Sequence, residues 1–265
     1  KEKGRVPGLG VVQVGNRKDS ETYIRMKKRA CEEVGIFFRH VRHDTDVSCE
    51  ELCESIEKLN NDSLIHGIIV QLPLPDSLNE SLILQKVAKS KDVDGFHPEN
   101  MGNLSLNNMD ICMAPCTPSG CIELLDRYGI SLEGKHVVVL GRSNIVGLPM
   151  SLLALHKNAT VTVCHSRTNN IKEITKTADI LVSACGKREL VEKDWIKTGC
   201  VIIDVGINAV DDPSKKSGYR LVGDVNYNDV LDKVSAITPV PGGVGPMTIA
   251  MLLKHTVSAF ISINC

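Results

Sequence analysis

Residues 135–155 read KHVVVLGRSNIVGLPMSLLAL and combine an aliphatic strand, a short loop bounded by Gly141 and Gly147, and an apolar helix. A loop in this position brings a phosphate to the N-terminus of the helix, where free N–H groups and the helix dipole favour an anion. The two glycines lack the usual GxGxxG spacing, so the prediction depends on where the loop lies between strand and helix. This stretch predicts a nucleotide-binding α/β domain.

The same alternation of aliphatic strands and periodic helices extends along all 265 residues. Such alternation is typical of βαβ units and a parallel sheet. The sequence therefore predicts an α/β protein of two lobes with a cleft between them, the second lobe a Rossmann-type parallel sheet, and a boundary within Ala114–Pro118. Asp211–Gly218 is predicted to be a solvated loop. The predicted strands are Leu9–Val14, Phe37–Val41, Gly67–Gln71, His136–Leu140, Ala159–Cys164, Ile180–Ala184, Val201–Val205 and Ser235–Thr238.

The charge balance restricts the classes of partner. The chain carries 31 Lys and Arg against 32 Asp and Glu, a formal net charge of −1. Proteins that bind nucleic acid or anionic membranes usually show a basic excess or a basic patch. The sequence also lacks a run of ~18 apolar residues that would predict a membrane span. We expect small-molecule partners, no nucleic acid and no membrane.

The ten cysteines are scattered singly through apolar strands and helices. This distribution favours small core side chains in a reducing compartment over disulfides. The closer groups, Cys49 with Cys53 and Cys112 with Cys116 and Cys121, lack CxxC spacing and candidate His ligands that would complete a zinc site. We expect no metal.

One lysine of the predicted helix Ser20–Val34, which ends at Gly35, lies on the apolar face. With Tyr23 at zero on a helical wheel, the apolar residues fall between roughly −60° and +100°, and Lys27 lies at about 40°. A lone lysine of this kind often extends to the rim or pairs with a carboxylate. Alternatively it faces a cleft, where partial withdrawal from water weakens its preference for the charged form and suits it to proton transfer. Tyr23, one turn earlier, points the same way.

Two further polar residues lie where α/β proteins place their sites, near the carboxyl ends of buried strands. Gln71 ends the run GIIVQLPLP, in which Pro73 and Pro75 stop regular sheet pairing. Asp94 lies in KDVDGFHP, where Gly95 permits a tight backbone path. Each also has an ordinary interpretation, a strand-end hydrogen bond for Gln71 and a solvated loop acid for Asp94.

The residues after the strand Ala159–Cys164 bear on the choice of cofactor. NAD sites usually carry an acid there that binds the ribose 2′-hydroxyl, but this chain has His165, Ser166, Arg167 and Thr168. A hydroxyl and cations, with Arg142 from the first loop, suit a 2′-phosphate instead. The pattern favours NADP over NAD, unless the two arginines are ordinary surface charges.

A loop rich in glycine and proline, ITPVPGGVGPMT, spans residues 237–248. It is stiff at its prolines and bare at Gly242, Gly243 and Gly245, so a flat ligand could approach the backbone closely. The same composition suits an ordinary connector that leads into a helix from Pro246 to about Ile261.

A series of motifs, in order and spacing, resembles the methylenetetrahydrofolate dehydrogenase/methenyltetrahydrofolate cyclohydrolase family, the bifunctional FolD-type enzymes. The motifs are SETYIRMK, VQLPLP, KDVDGFHP, PCTPSGC, GRSNIVGLP, CHSRT, DVGIN and ITPVPGGVGPMT. The last is the most specific, and the resemblance extends over about residues 6–260. The details DPSKKSGYRLVGD and HSRT look most like plant members.

The resemblance implies NADP-dependent oxidation of 5,10-methylenetetrahydrofolate to 5,10-methenyltetrahydrofolate and hydrolysis of that product to 10-formyltetrahydrofolate. It implies that Lys27 serves the proton transfers of hydrolysis and that Gln71 hydrogen-bonds Lys27. Tyr23 would stack on the p-aminobenzoyl ring, and Asp94 would hold the amino edge of the pterin. The other implied site residues are Ser20, Leu72, Pro241, Gly242 and Gly245 for substrate, and Gly141, Arg142, Ser143, Ile145, His165, Ser166, Arg167, Ile207 and Thr248 for cofactor.

The resemblance also implies an organisation. Residues 1–116, completed by the helix 246–265, would form the folate-binding catalytic domain, and residues 117–245 the NADP-binding domain. A homodimer is expected, since an exposed sheet edge in the second lobe would suit one. The expected compartment is the cytoplasm, or a mitochondrial or plastid matrix if a transit peptide has been removed.

Three alternatives stay open on the residues alone. The first is a monofunctional dehydrogenase that has lost the hydrolysis. The second is an NAD enzyme with a phosphate-filled 2′ pocket. The third is a non-catalytic nucleotide-binding module, which would not need a lysine on the apolar face of its helix.

Overall fold

The structure is a computed structural model that describes residues 5–215 and 218–264. The chain divides into two compact units. The first comprises Lys1–Cys116 and Ile249–Cys265, and the second comprises Thr117–Thr248. Each unit has its own parallel β-sheet, as the α/β prediction requires.

The elements follow the predicted alternation of strands and helices. The strands are β1 (Gly8–Val14), β2 (Phe37–His43), β3 (Gly67–Val70), β4 (His136–Leu140), β5 (Thr160–Cys164), β6 (Ile180–Ser183), β7 (Val201–Asp204), β8 (Asn208–Asp211), β9 (Tyr219–Val222) and β10 (Ala236–Ile237). The α-helices are α1 (Lys18–Val34), α2 (Cys49–Asn60), α3 (Glu80–Leu84), α4 (Pro98–Ser105), α5 (Cys116–Arg127), α6 (Gly147–His156), α7 (Ile171–Thr175), α8 (Tyr227–Val230) and α9 (Val244–Asn264).

The sheet of the first unit has the order β2-β1-β3, with both neighbours parallel to β1. Every residue of β1 is buried, which fits its nearly continuous aliphatic sequence, since a central parallel strand is covered on both faces. The amide of Gln71 donates to the carbonyl of Val12 (2.8 Å), so the ladder extends one residue past β3. The carboxyl ends of β1 and β3 therefore lie at the same edge.

Helix α1 ends as predicted, because Gly35 adopts the left-handed conformation (φ 77°) and its amide bonds the last carbonyls of the helix. The predicted apolar face is only partly buried. Ile24 and Cys31 lie in the core, whereas Met26 and Val34 are 42% and 61% exposed. Helical periodicity gives the direction of a side chain, but the packed neighbours decide how far the buried stripe extends.

Helix α9 is long and apolar enough to cross a membrane by length and composition alone, a test that a helix buried in a protein core also passes. Within the first unit, Met251, Leu252 and Ala259 pack in one hydrophobic cluster with Leu9 and Val11 of β1. Core packing accounts for the apolar character of this part of the helix.

The second unit contains a parallel sheet of order β10-β7-β6-β4-β5. The order reverses direction around β4, where the chain passes outward to β5 and then returns to β6. In open parallel sheets, ligands bind at such a switch point, beyond the carboxyl ends of the strands. The loop that follows β4 is the stretch GRSNIVG.

The prediction of a solvated loop over Asp211–Gly218 was wrong at its first residue, which belongs to strand β8. Strands β8 and β9 form an antiparallel pair in which Asp211 lies opposite Tyr219, and Lys216 and Ser217 of the predicted loop lie outside the described residues. The cluster of Asp, Pro, Ser and Lys residues marks the turn. The short flanking strands NAVD and YRLV contain too few apolar residues to be predicted from hydrophobic alternation.

A buried lysine holds the carboxyl end of helix α2. The Lys91 ammonium donates to the carbonyls of Leu59 (3.2 Å), Asn60 (2.7 Å) and Asp62 (2.9 Å). Cations stabilise the C-terminus of a helix, where carbonyls lack partners within the helix. Lys91 therefore fixes the position of the segment that leads to Asp92 and Asp94.

We predict that Lys91→Met lowers the free energy of unfolding by about 2–3 kcal/mol, because buried carbonyls lose a charged donor. Urea unfolding at constant m-value measures the change. Lys89→Met is the matched control, since Lys89 makes a partly exposed ion pair with Glu99 and should cost less than about 1 kcal/mol. Equal stability of the two variants would show that Lys91 does not hold the helix end.

Candidate active site

Helix α1 presents Lys27 to the end of strand β3. Lys27 is half-buried, and its ammonium donates to Oε1 of Gln71 at 3.0 Å. The described hydrogen bond of Lys27 is therefore made to an amide oxygen. An ordinary lysine on an apolar face would be expected to pair with a carboxylate instead. The hydrogen bond between Gln71 and Lys27 that the resemblance implied is present, and the role of Lys27 stays a prediction.

The second end of the Gln71 amide is also fixed. Its Nε2 donates to the carbonyl of Leu72 at 2.9 Å, and a carbonyl can only accept. This contact identifies which end of the amide is the oxygen and directs Oε1 at Lys27. Gln71 is thus a neutral acceptor of fixed orientation, positioned by the ladder that joins it to β1.

Asp94 lies in a turn that its neighbour Asp92 organises. The buried Asp92 carboxylate accepts the amides of Gly95 (3.1 Å), Phe96 (3.3 Å) and His97 (2.8 Å). Gly95 has φ 77°, and a Cβ there would lie 2.3 Å from the carbonyl of Met113. The turn requires a glycine at this position, as predicted, and it leaves Asp94 half-buried beside the turn.

The electrostatic surroundings of Asp94 are mixed. Burial raises the pKa of Asp94 to about 6, Lys27 opposes the rise, the charge of Asp92 adds to it, and a hydrogen bond from the Cys116 thiol lowers it again. The carboxyl is therefore largely ionised at pH 7 and becomes protonated as the pH falls through 6. Desolvation is the main cause, which is usual for a carboxyl at a functional site.

Cys116 and His255 belong to this cluster and were missed as site residues in the sequence analysis. The Cys116 thiol lies 3.1 Å from the carbonyl of Val93 and 3.6 Å from Nδ1 of His255. Burial and the charge of Asp94 raise the pKa of the thiol well above its usual range, so it stays protonated. Burial lowers the pKa of His255. Cys116 begins helix α5 in the motif PCTP, and His255 lies far along the chain on α9.

The other predicted substrate residues are divided between the two units. Ser20 is buried and Tyr23 is half-buried on helix α1, and Leu72 packs against the core of the first unit. Pro241, Gly242 and Gly245 follow β10 in the second unit. Pro241 and Gly242 are exposed, and open space surrounds the position that a Cβ would take at Gly245. Their part in binding substrate stays a prediction.

The second unit has a pocket of ≈ 280 Å³ at the switch point of its sheet. It is formed where β4, β5 and β6 end, which is where a dinucleotide binds in this class of fold. Its lining residues are Leu140, Gly141, Arg142, Ser143, Cys164, His165, Ser166, Ile171, Ala184, Cys185, Lys187 and Leu190. They include Gly141, Arg142, Ser143, His165 and Ser166, as predicted from the sequence.

The two glycines of the first loop are required by close backbone contacts. A Cβ at Gly141 (φ 123°) would lie 2.2 Å from the carbonyl of Ala184, and one at Gly147 would lie 2.3 Å from the carbonyl of Gly141. Ser143 Oγ accepts the amides of Val146 (3.2 Å) and Gly147 (3.3 Å). The loop therefore folds tightly against the start of α6 without the GxGxxG spacing.

The charge of the pocket favours an anion. Among its lining residues in the described chain there are two strong cations, Arg142 and Lys187, and no carboxylate. Lys187 was missed because it follows β6, outside the motifs. Of the other predicted cofactor residues, Arg167, Ile145, Ile207 and Thr248 are not among those lining residues, and their contacts with a cofactor stay predictions.

Two buried aspartates, Asp204 and Asp224, hold the loops beside the pocket. Asp224 Oδ2 accepts the amides of Cys185 (2.8 Å) and Gly186 (3.0 Å), which shapes the loop carrying Lys187. Asp204 accepts the amides of Gly206, Asp224 and Val225, and burial raises the pKa of Asp204 to about 6. An acid directly after an aliphatic run, as in VIID and LVGD, was the signal that could have identified them.

Within residues 5–215 and 218–264, no group of three or more His, Cys, Asp or Glu side chains is arranged to hold a metal ion. The described cysteines are all free thiols. The described chain thus offers two candidate sites, the Lys27–Gln71–Asp94 cluster of the first unit and the cationic pocket of the second.

Comparison with known proteins shows the family of both units. A family model described as the catalytic domain of tetrahydrofolate dehydrogenase/cyclohydrolase matches residues 1–94, and the NAD(P)-binding domain of the same family matches residues 115–263. Bifunctional protein FolD 4, chloroplastic, of Arabidopsis thaliana is 56% identical over 97% of this chain and 71% of its own length. Bifunctional protein FolD of Chlorobium phaeobacteroides (strain BS1) is 54% identical over 98% of this chain and 88% of its own.

A solved structure has a similar fold. Trypanosoma brucei N5,N10-methylenetetrahydrofolate dehydrogenase-cyclohydrolase, complexed with NADP cofactor and inhibitor, superposes with a TM-score of 0.96 at 44% identity. The match covers 100% of this chain and 90% of that one.

Proposed function

Because this chain belongs to the tetrahydrofolate dehydrogenase/cyclohydrolase family, we infer that it is a bifunctional enzyme of one-carbon folate metabolism. It oxidises 5,10-methylenetetrahydrofolate to 5,10-methenyltetrahydrofolate with NADP⁺ and hydrolyses the product to 10-formyltetrahydrofolate. The observation that carries this function is the hydrogen bond between Lys27 and Gln71 beside Asp94. A module that only binds a nucleotide has no use for this cluster.

Lys27 is the residue that we assign to hydrolysis. In that reaction water adds to the methenyl carbon, the bond from this carbon to N5 breaks, and N5 gains a proton, with net release of one proton to solvent. A group that takes a proton from water and returns one to N5 lowers the barrier of both steps. Lys27 suits this role because it is half-buried and bonded to a neutral acceptor.

The folate ring system needs groups that orient it. We assign Asp94 to the amino edge of the pterin, since an ionised carboxyl accepts from two N–H groups at once. Tyr23 lies one turn before Lys27 on α1 and is assigned to stacking on the p-aminobenzoyl ring. Ser20, Leu72, Pro241, Gly242 and Gly245 are assigned to the remaining contacts with substrate.

The pocket of the second unit fits NADP⁺. Arg142, Ser166 and Lys187 offer two cations and a hydroxyl with no competing carboxylate among the described lining residues, which suits a 2′-phosphate. Ser143 and the glycines of the first loop hold the backbone where the pyrophosphate of a dinucleotide would bind. When bound, NADP⁺ supplies the hydride acceptor of the dehydrogenase reaction. Ile145, His165, Arg167, Ile207 and Thr248 complete the assigned cofactor residues.

The domain roles follow from these sites. We assign folate binding and hydrolysis to residues 1–116 with the helix 246–265, and NADP⁺ binding to residues 117–245. For the compartment we propose the cytoplasm, or a mitochondrial or plastid matrix after removal of a transit peptide. The free thiols support a reducing compartment.

We further propose a homodimer formed through the outer strand β5. This strand is at one end of the five-stranded sheet, and Val163 is 38% exposed on it. Helix α6 exposes Leu148 and Leu155 by 42% and 55%. Exposed apolar residues beside an open sheet edge favour association.

The test of the function is a coupled spectrophotometric assay with 5,10-methylenetetrahydrofolate and either NADP⁺ or NAD⁺, in which NADPH formation and methenyl decay are followed together. Turnover with NADP⁺ and methenyl decay faster than in an enzyme-free control are expected. Methenyl accumulation without accelerated decay would leave a monofunctional dehydrogenase. The absence of turnover with either cofactor would favour the non-catalytic module.

We predict that Lys27→Met lowers the rate of methenyl hydrolysis at least 100-fold, in the range lost with a general acid–base group. NADP⁺ binding and the melting temperature should stay unchanged, because Met keeps most of the volume of Lys. Lys28→Met is the matched control, since Lys28 is an exposed neighbour paired with Glu32. Retained hydrolysis with a lower melting temperature would make Lys27 a structural residue.

For cofactor choice, we predict that Arg142→Gln weakens NADP⁺ binding about 10- to 100-fold and NAD⁺ binding much less, because only NADP⁺ carries the 2′-phosphate. Lys187→Gln should change NADP⁺ binding in the same direction. Arg188→Gln is the control, since Arg188 pairs with Glu189 and does not line the pocket. Fluorescence titration gives the dissociation constants, and equal losses for both cofactors would place these cations elsewhere on the dinucleotide.

For the dimer, sedimentation equilibrium should give twice the monomer mass. Leu155→Lys is expected to shift the equilibrium toward monomer, because a charge in an apolar interface is desolvated without a partner. Leu106→Lys is the control, since Leu106 is 73% exposed but lies in the first unit. A dimer unaffected by Leu155→Lys would require a different interface.

A further inference from the structure

Asn208 begins strand β8 directly after Ile207, a residue assigned to the cofactor, and the proposed function gives Asn208 itself no role. Its side-chain Nδ2 donates to Oδ1 of Asp224 at 3.0 Å. Asp224 is fully buried, and its carboxylate oxygen accepts, so this contact identifies which end of the Asn208 amide is the nitrogen. Asn208 therefore ties the end of the loop formed by residues 205–207 to Asp224.

The other oxygen of Asp224 holds a different loop. Oδ2 accepts the backbone amides of Cys185 (2.8 Å) and Gly186 (3.0 Å). Gly186 leads directly to Lys187, which lines the cofactor pocket. The two oxygens of one buried carboxylate thus bind the loop that follows β6 and, through Asn208, the loop that follows β7.

The backbone just before Asn208 lies close to the same carboxylate. A Cβ at Gly206 would lie 2.2 Å from Oδ1 of Asp224, so this approach requires a residue without a side chain. The amide of Gly206 donates to Asp204, which also accepts the amide of Asp224. The loop after β7 is therefore held on both sides of Ile207, which is 44% exposed.

We propose that Asn208 is a positioning residue for the cofactor and acts through Asp224, which links the two loops. Through this link the loops hold Ile207 and Lys187 in one fixed arrangement. The proposal rests on the proposed function, in which both of these residues bind NADP⁺. Asn208 acts by orienting the carboxylate and the loop, because its amide nitrogen is already engaged.

The physical basis is the order of the loops before the cofactor binds. When the arrangement that can bind is only partly populated, the apparent dissociation constant rises in inverse proportion to its population. Loss of the Asn208 hydrogen bond removes the donor from Oδ1 of Asp224 and releases the loop after β7 on one side. NADP⁺ must then order that loop as it binds, which lowers its affinity.

The first test is NADP⁺ binding to Asn208→Ala, measured by fluorescence titration. A loss of about 10-fold is expected, which corresponds to a competent arrangement populated about one-tenth of the time. Hydrolysis of 5,10-methenyltetrahydrofolate needs no nicotinamide cofactor and should proceed at the natural rate. A merely structural role for Asn208 would lower the melting temperature and the hydrolysis rate as well.

An exchange of the two side chains tests the hydrogen bond itself. Asp224→Asn alone sets an amide N–H either against Asn208 or against the N–H groups of the loop after β6, and Asn208→Asp alone sets one carboxylate against another. Each single variant should bind NADP⁺ at least about 10-fold more weakly than the natural protein. The double variant Asn208→Asp/Asp224→Asn again pairs a donor with an acceptor, so its affinity should return to within about 3-fold of the natural value.

Asn228→Asp is the matched control, because Asn228 is an exposed asparagine of the same unit and is not among the donors to Asp224 within the described chain. Its NADP⁺ affinity should stay unchanged. The melting temperature shows whether each variant remains folded. Natural affinity in folded Asn208→Ala, or a folded double variant that binds no better than the single variants, would overturn the proposal.

Hydrogen exchange separates this inference from the proposed function. Exchange of the Cys185 and Gly186 amides is followed by NMR in the cofactor-free protein, since it reports local opening of the loop after β6. Faster exchange in Asn208→Ala than in the natural protein and in Asn228→Asp supports the positioning role even if the natural protein binds no NADP⁺, in which case only the proposed function fails. Equal exchange in all three proteins rejects the role of Asn208 whatever the affinity.

Discussion

Buried carboxylates that accept backbone N–H groups shape the loops at both candidate sites. In the first unit Asp92 collects three successive amides and the side-chain amide of Asn100. In the second, Asp204 and Asp224 together accept amides from three loops, those that follow β6, β7 and β9. A buried carboxylate without partners would be costly, but one that accepts several N–H groups fixes a loop that has no regular ladder to hold it. The positions of Asp94 and Lys187 both depend on this arrangement.

Asp92 and Asp94 lie in the same turn but differ in role. Asp92 holds the backbone of the turn, whereas Asp94 is the carboxyl assigned to the ligand. Asp92 is buried and accepts from three amides of its own turn and from the side chain of Asn100. Asp94, two residues later, keeps a surface open to solvent, and the charges of Lys27 and Asp92 act on it in opposite directions. Burial raises the pKa of Asp94 to about 6, so its charge is sensitive to each neighbour. A carboxyl poised in this way can bind a ligand that brings its own N–H groups.

The sequence predicted the features that depend on local pattern. Periodicity identified Lys27, strand ends identified Gln71, and the Gly-bounded loop identified the pocket at Gly141, Arg142 and Ser143. The contact between Cys116 and His255 was not predicted, because the two residues are 139 positions apart in the chain. Local periodicity carries no information on contacts between residues so far apart in sequence. Lys187 was not predicted to line the pocket, because its position depends on Asp224, which follows a different strand of the sheet.

The choice of an amide at position 71 is informative about the chemistry. Glutamate there would bind an ammonium as an ion pair and favour the charged amine, which has no lone pair to take a proton. The neutral Gln71 orients the Lys27 nitrogen at 3.0 Å through a single hydrogen bond, while the Leu72 carbonyl prevents the amide from turning its N–H groups toward the lysine. The negative charge of the site resides instead on Asp94, whose ionisation is adjustable. Orientation and charge are thus supplied by different residues, which suits the proposed role of Lys27 as a group that exchanges protons during hydrolysis.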